Sequence, residues 1–149
     1  MATRSMIGRQ HADGTISATY CHWDGYPAHV GAILQQHYAS ADRIDALQAL
    51  GALSELGPEI GAAHPFDAHR PSHAAHDPRY ASWCLSFFRD RGDRLMPTPL
   101  HCDDAAALLQ AGDDWGAEYV YLWQGSAWYV RDYRDGVWQL LAVVQERAA

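Results

Sequence analysis

Alternating apolar and polar positions at the start of the chain predict a β-hairpin. Two runs of β-favouring residues, 5–10 and 15–23, flank the tetrapeptide His11-Ala12-Asp13-Gly14. An Asp-Gly step between such runs is a strong signal for a tight turn. The second strand then leads directly into an aromatic stretch, residues 20–27, which contains a second Asp-Gly step and ends in a proline.

Apolar residues at helical spacing follow this stretch and predict two helices. Pro27 suits the first turn of a helix, because the N–H that proline lacks is not needed there. The apolar stripe of the first helix consists of Val30, Ile33, Leu34 and Tyr38. A second helix is predicted between an N-cap at Ser40 and a left-handed stop at Gly51. Its stripe consists of Ile44, Leu47 and Leu50.

The periodicity disappears over residues 57–79, where four prolines and four histidines alternate with small residues. This composition predicts a long loop outside the core, whose middle, residues 68–75, could be trimmed with little loss of stability. Residues 80–88 alternate again and predict a buried strand. The strand would end in a charged turn, Arg89-Asp90-Arg91-Gly92-Asp93.

The last third of the chain predicts a short helix and a second hairpin. Asp103 is a candidate N-cap for a helix that ends at Gly112. Residues 117–123 and 127–131 alternate around Gln124-Gly125-Ser126, which is typical of a hairpin, whereas residues 137–144 fit a strand or a helix. The order of elements indicates an α+β fold in a single globular domain, residues 1–149. We expect an antiparallel sheet built from two hairpins and a central strand, with two to three helices packed on it.

Composition excludes several classes of function. The net charge of -7 argues against a nucleic-acid partner, because phosphate binding needs clustered cations, and would suit a basic partner or simple solubility. All eleven cations are arginine. The absence of lysine excludes P-loop, kinase and Schiff-base chemistry. No apolar run approaches the ~18 residues of a membrane span, so we expect a cytoplasmic protein without a membrane partner.

Metal and nucleophile signatures are weak. The three cysteines form no C-x-x-C pair, which argues against a disulfide framework or a cysteine-rich zinc site. Cys21 and His22 are adjacent in a strand and would point to opposite faces. His22 and Asp24 would share a face and could begin a metal site, for which the loop histidines are the candidate further ligands. The spacings of His69, His73 and His76 suit a metal only in a helix, which the prolines of the loop disfavour. We therefore expect no metal and no cofactor.

The cluster Arg89–Asp93 offers several interpretations. It could be a surface turn of ion pairs, or an Arg-Gly-Asp recognition motif if the protein were extracellular. It could also bind the Asp24 bend, because paired Arg–carboxylate contacts hold two loops together. In that case Asp24→Ala and Arg91→Ala should be non-additive in stability. Because the stretch 20–27 is predicted to turn from a strand into a helix, one of its aromatic residues Trp23 and Tyr26 should be buried under the first helix.

The stretch Tyr-Cys-His-Trp-Asp-Gly-Tyr-Pro at 20–27 and the later Arg-Asp-Arg-Gly at 89–92 together resemble a set of small proteins of uncharacterised function encoded by tailed bacteriophages and prophages. The likeness covers residues 5–56 and 80–93, and more weakly 117–131. The set usually has Glu where this chain has Asp93. The resemblance implies a phage-type accessory protein and supplies neither a reaction nor catalytic residues.

Taken together, these patterns favour a protein that binds a host macromolecule without catalysis, for example a defence or transcription component that it inhibits. Its surplus of tryptophan and tyrosine suits an interface. The alternative is a small hydrolase or transferase that uses His22, Asp24 and the Arg89–Asp93 cluster. The partner and the oligomeric state stay open. The predicted binding residues are Tyr20, His22, Trp23, Asp24, Tyr26, Arg89, Asp90, Arg91 and Asp93.

Overall fold

The structure is a computed structural model that describes residues 2–148. Its strands are β1 (Ser5–Gln10), β2 (Ile16–Cys21), β3 (Leu53–Glu55), β4 (Leu85–Ser86), β5 (Leu100–Cys102), β6 (Tyr119–Gln124), β7 (Ala127–Asp132) and β8 (Trp138–Leu140). Its α-helices are α1 (Ala32–His37), α2 (Ala41–Gln48), α3 (Phe87–Arg91), α4 (Ala105–Asp114) and α5 (Leu141–Ala148). A π-helical turn, Pro27–Gly31, precedes α1, and two 3₁₀ turns lie at Phe66–His69 and Pro78–Tyr80.

The eight strands form one sheet in the order β4-β3-β2-β1-β6-β7-β8, with β5 on the remaining part of the β2 edge. The α+β class is confirmed, and so are the hairpins β1–β2 and β6–β7. The sheet is mixed and not purely antiparallel, because β1 pairs with β6 and β2 with β3 in parallel. The two hairpins therefore join side by side at the centre of the sheet, and five α-helices surround it.

The core lies on both faces of this sheet. Side chains alternate along β1 and β6, so Ile7 and Tyr121 belong to one hydrophobic cluster and Met6 and Val120 to the other. The first cluster is completed by apolar residues of α1, α2 and α5. The second is completed by α4, whose Leu108 is fully buried. Helices on both faces make a three-layered arrangement, and the chain reaches the surface just after β2, where Trp23 is 40% exposed.

The capping residues explain where two of the helices begin. The Ser40 hydroxyl accepts a hydrogen bond from the Arg43 N–H, as predicted for α2. For α4 the cap is Asp104, one residue after the predicted Asp103, and its carboxylate accepts from the Ala107 N–H. Gly112 does not end this helix: it lies inside α4, where a Cβ would come within 2.9 Å of Val120.

The prediction of a strand over residues 80–88 is wrong. Only Leu85–Ser86 pair as a strand, at the edge of the sheet and not at its centre. Ser86 stops the strand because its hydroxyl caps the short helix α3 by accepting from the Arg89 N–H. Gly92 ends that helix in the left-handed conformation, with φ 76°. The undecided stretch 137–144 contains both elements, β8 followed by α5.

Candidate functional site

The stretch 20–27 continues alongside β3 after β2 ends. His22 N–H donates to the Leu53 carbonyl at 3.0 Å, and Trp23 N–H donates to the Ser54 carbonyl at 3.1 Å. Asp24 then takes a left-handed backbone with φ 56°, the only non-glycine residue among 2–148 to do so. Neither aromatic residue is buried under the first helix, contrary to prediction: Trp23 is 40% exposed and Tyr26 39%.

The bend at Asp24 is fixed from the core side through its glycine neighbour. The buried Tyr121 hydroxyl donates to the Gly25 carbonyl at 2.7 Å, and the Gly25 N–H donates to the Thr3 carbonyl at 2.8 Å. A Cβ at Gly25 would lie 2.8 Å from Ser5, so no larger residue fits. The bend is therefore held by the sheet itself and does not depend on the Arg89–Asp93 cluster.

Tyr121→Phe should lower the free energy of unfolding by about 1–2 kcal/mol, because the buried Gly25 carbonyl loses its donor. Chemical denaturation measures this loss. Tyr129→Phe, on the neighbouring strand, is the matched control and should change stability less. A Tyr121→Phe variant as stable as the control would show that the hydroxyl does not hold the bend.

The Arg89–Asp93 cluster is divided between the inside and the outside of the protein. The Asp90 side chain is fully buried and accepts from the Ser86 N–H at 2.8 Å and from Arg89 Nε at 2.9 Å. Arg89 also donates to the carbonyls of Ile60 and Cys84, both at 2.8 Å. Arg89 and Asp90 thus join α3 to the neighbouring segments, and they form no free surface.

Arg91 and Asp93 point outward and pair with each other at 3.1 Å. The Arg91 guanidinium also lies over the rings of Phe66 and Phe87, at 4.5 and 5.0 Å from their centroids. Asp24 makes no ion pair among residues 2–148 and lines a different cavity from Arg91. The predicted Asp24–Arg91 contact is therefore absent from the described part of the chain, and we expect those two substitutions to be additive.

Three cavities lie along the ends of β2 and β3. The Tyr20 cavity, about 500 Å³, is lined by Arg4, Tyr20, His22, Ala52, Phe87, Arg91, Asp93, Leu95, Asp114 and Trp115. The middle cavity, about 370 Å³, is lined by Trp23, Ser54, Glu55, Phe66, Asp67, His69, Arg70, Leu85 and Arg91. The Trp83 cavity, about 180 Å³, is lined by Trp23, Asp24, His29, Ile33, Glu55, Leu56, Gly57, Pro58, Ala81 and Trp83.

The three cavities are neighbours, because each shares lining residues with the next, and we call the row that they form the groove. Arg91 lines both the Tyr20 and the middle cavity, and Trp23 and Glu55 line both the middle and the Trp83 cavity. The lining residues from the segment that contains β3 follow this order from Ala52 to Gly57, and those from the end of β2 onward follow it too. Five steps of extended chain at ~3.3 Å each give the groove a length of roughly 16 Å.

The proline- and histidine-rich segment forms one wall of the middle cavity. It is anchored by a chain of contacts in which His69 Nδ1 lies 2.8 Å from Glu55 Oε2 and His69 Nε2 lies 2.8 Å from His64 Nε2. His64 Nδ1 donates to the Ala62 carbonyl at 2.7 Å, since a carbonyl can only accept. Burial lowers the pKa of His69, and the attraction of Glu55 opposes this shift only in part.

Residues 57–79 are largely exposed, as predicted, and neither hydrophobic cluster has a buried member there, but parts of the segment pack tightly. His64 is 8% exposed, and the Ala68 side chain is fully buried. The Ala68 carbonyl also accepts hydrogen bonds from the Asp77 N–H and from His76 Nδ1. Trimming residues 68–75 would remove these contacts and one wall of the groove, so we expect it to reduce stability.

Charged and hydrogen-bonding groups in the Tyr20 cavity surround His22. The Tyr20 hydroxyl lies 2.6 Å from His22 Nδ1. Burial lowers the pKa of His22, and the positive charge of Arg4 lowers it further. Burial raises the pKa of Tyr20, and the positive charge of Arg4 opposes this shift in part. At neutral pH the cavity therefore presents a neutral imidazole and a neutral phenol beside the arginine.

The lowered pKa of His22 predicts a specific pH response. Its NMR titration midpoint should lie below the ordinary 6.5, and Arg4→Gln should raise it by removing a repulsive charge. Arg134→Gln, outside the groove, should leave it unchanged. Since the unfolded chain binds this proton more readily, the contribution of His22 to stability is fully present above pH 6.5 and is lost as the pH falls. A midpoint above 6.5 would contradict this arrangement.

The structure brings six of the nine predicted binding residues together in the groove. Tyr20, His22, Trp23, Asp24, Arg91 and Asp93 all line the groove, whereas Tyr26 packs against His29 outside its walls. Sequence reasoning missed the residues contributed by distant segments, chiefly Arg4, Glu55, Phe66, Trp83 and Trp115. The one available signal was the presence of tryptophans outside regular apolar stripes.

The comparisons with known proteins give no match: no family model, no curated protein and no solved structure is significantly similar to this chain. Within residues 2–148, no helix is both long and apolar enough to cross a membrane. In the same range, no three His, Cys, Asp or Glu side chains are grouped so that they could hold a metal ion. Any proposal on function therefore depends on the geometry of the groove.

Proposed function

We propose that this protein binds an extended segment of a partner protein in the groove and performs no catalysis. The observation that carries the proposal is that the three cavities lie in a row, each sharing lining residues with the next. A groove of roughly 16 Å matches five or six residues of extended chain, whereas a small substrate would fill a single cavity. In a phage or prophage setting, the partner would be a cytoplasmic host protein.

The composition of the groove supports recognition of side chains. The Tyr20 cavity offers the apolar surfaces of Phe87, Leu95 and Trp115 to a bulky side chain. Trp23 stands at the junction of the other two cavities and is 40% exposed. Exposed tryptophan and stacked arginine are the residue types that dominate binding energy at interfaces. Trp23 and Arg91 are therefore the expected anchors.

The alternative of a hydrolase or transferase finds less support in the geometry. His22 Nδ1 is engaged by the Tyr20 hydroxyl, and Asp24 lines a different cavity, so the two do not form an acid–base pair. His69 is oriented by Glu55 like a general base, but its free nitrogen faces His64 and not the groove. A general base must reach the proton that it removes.

Selection from a displayed library of random decapeptides tests the proposal. The immobilised protein should enrich specific sequences, and their affinity can be measured by fluorescence polarisation. Trp23→Ala and Arg91→Ala should each weaken the selected peptides about tenfold or more, because each removes a wall shared by two cavities.

Matched controls lie outside the groove. Tyr133→Ala removes an aromatic side chain that is 61% exposed, and Arg134→Ala removes an arginine paired with the aspartate two positions away, as Arg91 is. Both controls should bind the selected peptides within twofold of the unsubstituted protein. A selection that enriches no sequence, or binding that the controls weaken as much as the groove variants do, would overturn the proposal.

A further inference from the structure

The Trp83 cavity differs in chemistry from the rest of the groove. The indoles of Trp23 and Trp83 both line it. Trp23 packs edge-on against His22, and Trp83 packs against His64 and Tyr80, so each indole is supported by other rings and not by its counterpart. Two separately supported indoles in one small cavity provide an electron-rich surface for a guest.

The charges that line this cavity are predominantly negative. Asp24 and Glu55 contribute carboxylates, His29 is the one residue of a basic type, and no arginine is present among the lining residues. Glu55 is engaged by His69 at 2.8 Å. Asp24 is exposed and has no ion-pair partner among residues 2–148, so its charge is available to a ligand.

We propose that the Trp83 cavity receives a cationic side chain, lysine or arginine, from the extended segment of the partner. This inference rests on the proposed function of the groove. An indole attracts a cation placed over its ring, and a nearby carboxylate adds charge attraction. At about 180 Å³ the cavity has the space of about six waters at ~30 Å³ each, which suits one side chain.

Other occupants fit this cavity less well. An anionic side chain would meet two carboxylates, and an apolar side chain would bury the Asp24 carboxylate without an ion-pair partner, which costs free energy. The chain carries a net charge of -7, which favours the approach of basic segments over acidic ones. The remaining cavities differ, because each contains at least one arginine.

The backbone at Asp24 permits a clean substitution. Asn tolerates the left-handed conformation that Asp24 adopts at φ 56°, so Asp24→Asn removes the charge and preserves the bend. Glu55→Gln removes the second charge of the cavity. Asp103→Asn, at a fully exposed position outside the groove, is the matched control for loss of one acidic charge.

The decapeptide selection tests this inference separately from the groove itself. Selected sequences should contain lysine or arginine at one recurring position, and replacing that residue by norleucine should weaken binding about tenfold. Asp24→Asn should weaken the same peptides about threefold, and Asp24→Asn with Glu55→Gln about tenfold. Asp103→Asn should leave their affinity the same as that of the unsubstituted protein within experimental error, which excludes a general effect of net charge.

Several outcomes would overturn the inference. Peptides that depend on Trp23 and Arg91 but lack a recurring basic residue would leave the groove in place and disprove the cationic side chain. Tetramethylammonium chloride serves as a probe for a free cation, with the Trp23 and Trp83 indole NMR signals as readout. If it binds as tightly as the selected peptides, the cavity is a site for small cations and not for a partner's side chain.

Discussion

Arg89→Ala should destabilise the protein by about 3–5 kcal/mol, the largest loss that we expect from a single charge removal. The substitution leaves the Asp90 carboxylate fully buried without its cation. It also removes the donors to the Ile60 and Cys84 carbonyls, which lie on two segments that α3 would otherwise hold. Urea denaturation of the purified variant measures the loss.

Arg91→Ala is the control, because the two arginines are two positions apart in the same motif. The side chains of Arg91 and its partner Asp93 are 49% and 35% exposed, so solvent screens the ion pair and it contributes little to stability. We expect Arg91→Ala to cost less than half as much as Arg89→Ala. Equal losses for the two variants would contradict the division of the motif into an inward and an outward pair.

Gly61→Ala should destabilise the proline- and histidine-rich segment through both its backbone conformation and its packing. Gly61 has φ 67°, and a Cβ there would lie 2.3 Å from the Trp83 ring. The left-handed backbone costs an alanine about 1–2 kcal/mol. Displacing the indole adds about 1–3 kcal/mol of overpacking, so we expect a total of roughly 2–5 kcal/mol.

Gly125→Ala separates these two contributions. Gly125 has nearly the same backbone, with φ 66°, and nothing lies within 4 Å of the Cβ position. Thermal or chemical denaturation of both variants should show that Gly61→Ala costs at least 1 kcal/mol more than Gly125→Ala. Equal costs would mean that only the left-handed backbone requires glycine at position 61 and that the Trp83 ring moves aside without strain.

The sequence predicted the local elements better than their arrangement. The hairpins β1–β2 and β6–β7 and the helix capped by Ser40 follow from turn residues and caps, which act over a few positions. The parallel pairing of β1 with β6 joins residues more than 110 positions apart. No local pattern encodes such a contact, so the sequence predicted an antiparallel sheet where the structure has a mixed one.

For the same reason, only the part of the candidate site that comes from neighbouring residues was predicted. Adjacent residues such as His22 and Trp23 were correctly placed together at the end of β2. The interpretation of the Arg89–Asp93 cluster as a charged turn missed the Ser86 cap, which turns the segment into a helix and directs Asp90 inward. The loop-like composition of residues 57–79 also gave no sign that His64 and Ala68 are buried.

The indole N–H signals of the six tryptophans offer the most direct test of the groove. Three indoles line the groove from one end to the other: Trp115, Trp23 and Trp83. The other three lie elsewhere: Trp123 and Trp128 are buried in the hydrophobic cluster of Ile7, and Trp138 packs against the cluster of Met6 on the opposite face of the sheet. We predict that a selected decapeptide shifts the three groove signals together, at one affinity, and leaves the other three in place. Shifts confined to one groove indole, or found mainly among the other three, would contradict a continuous binding groove.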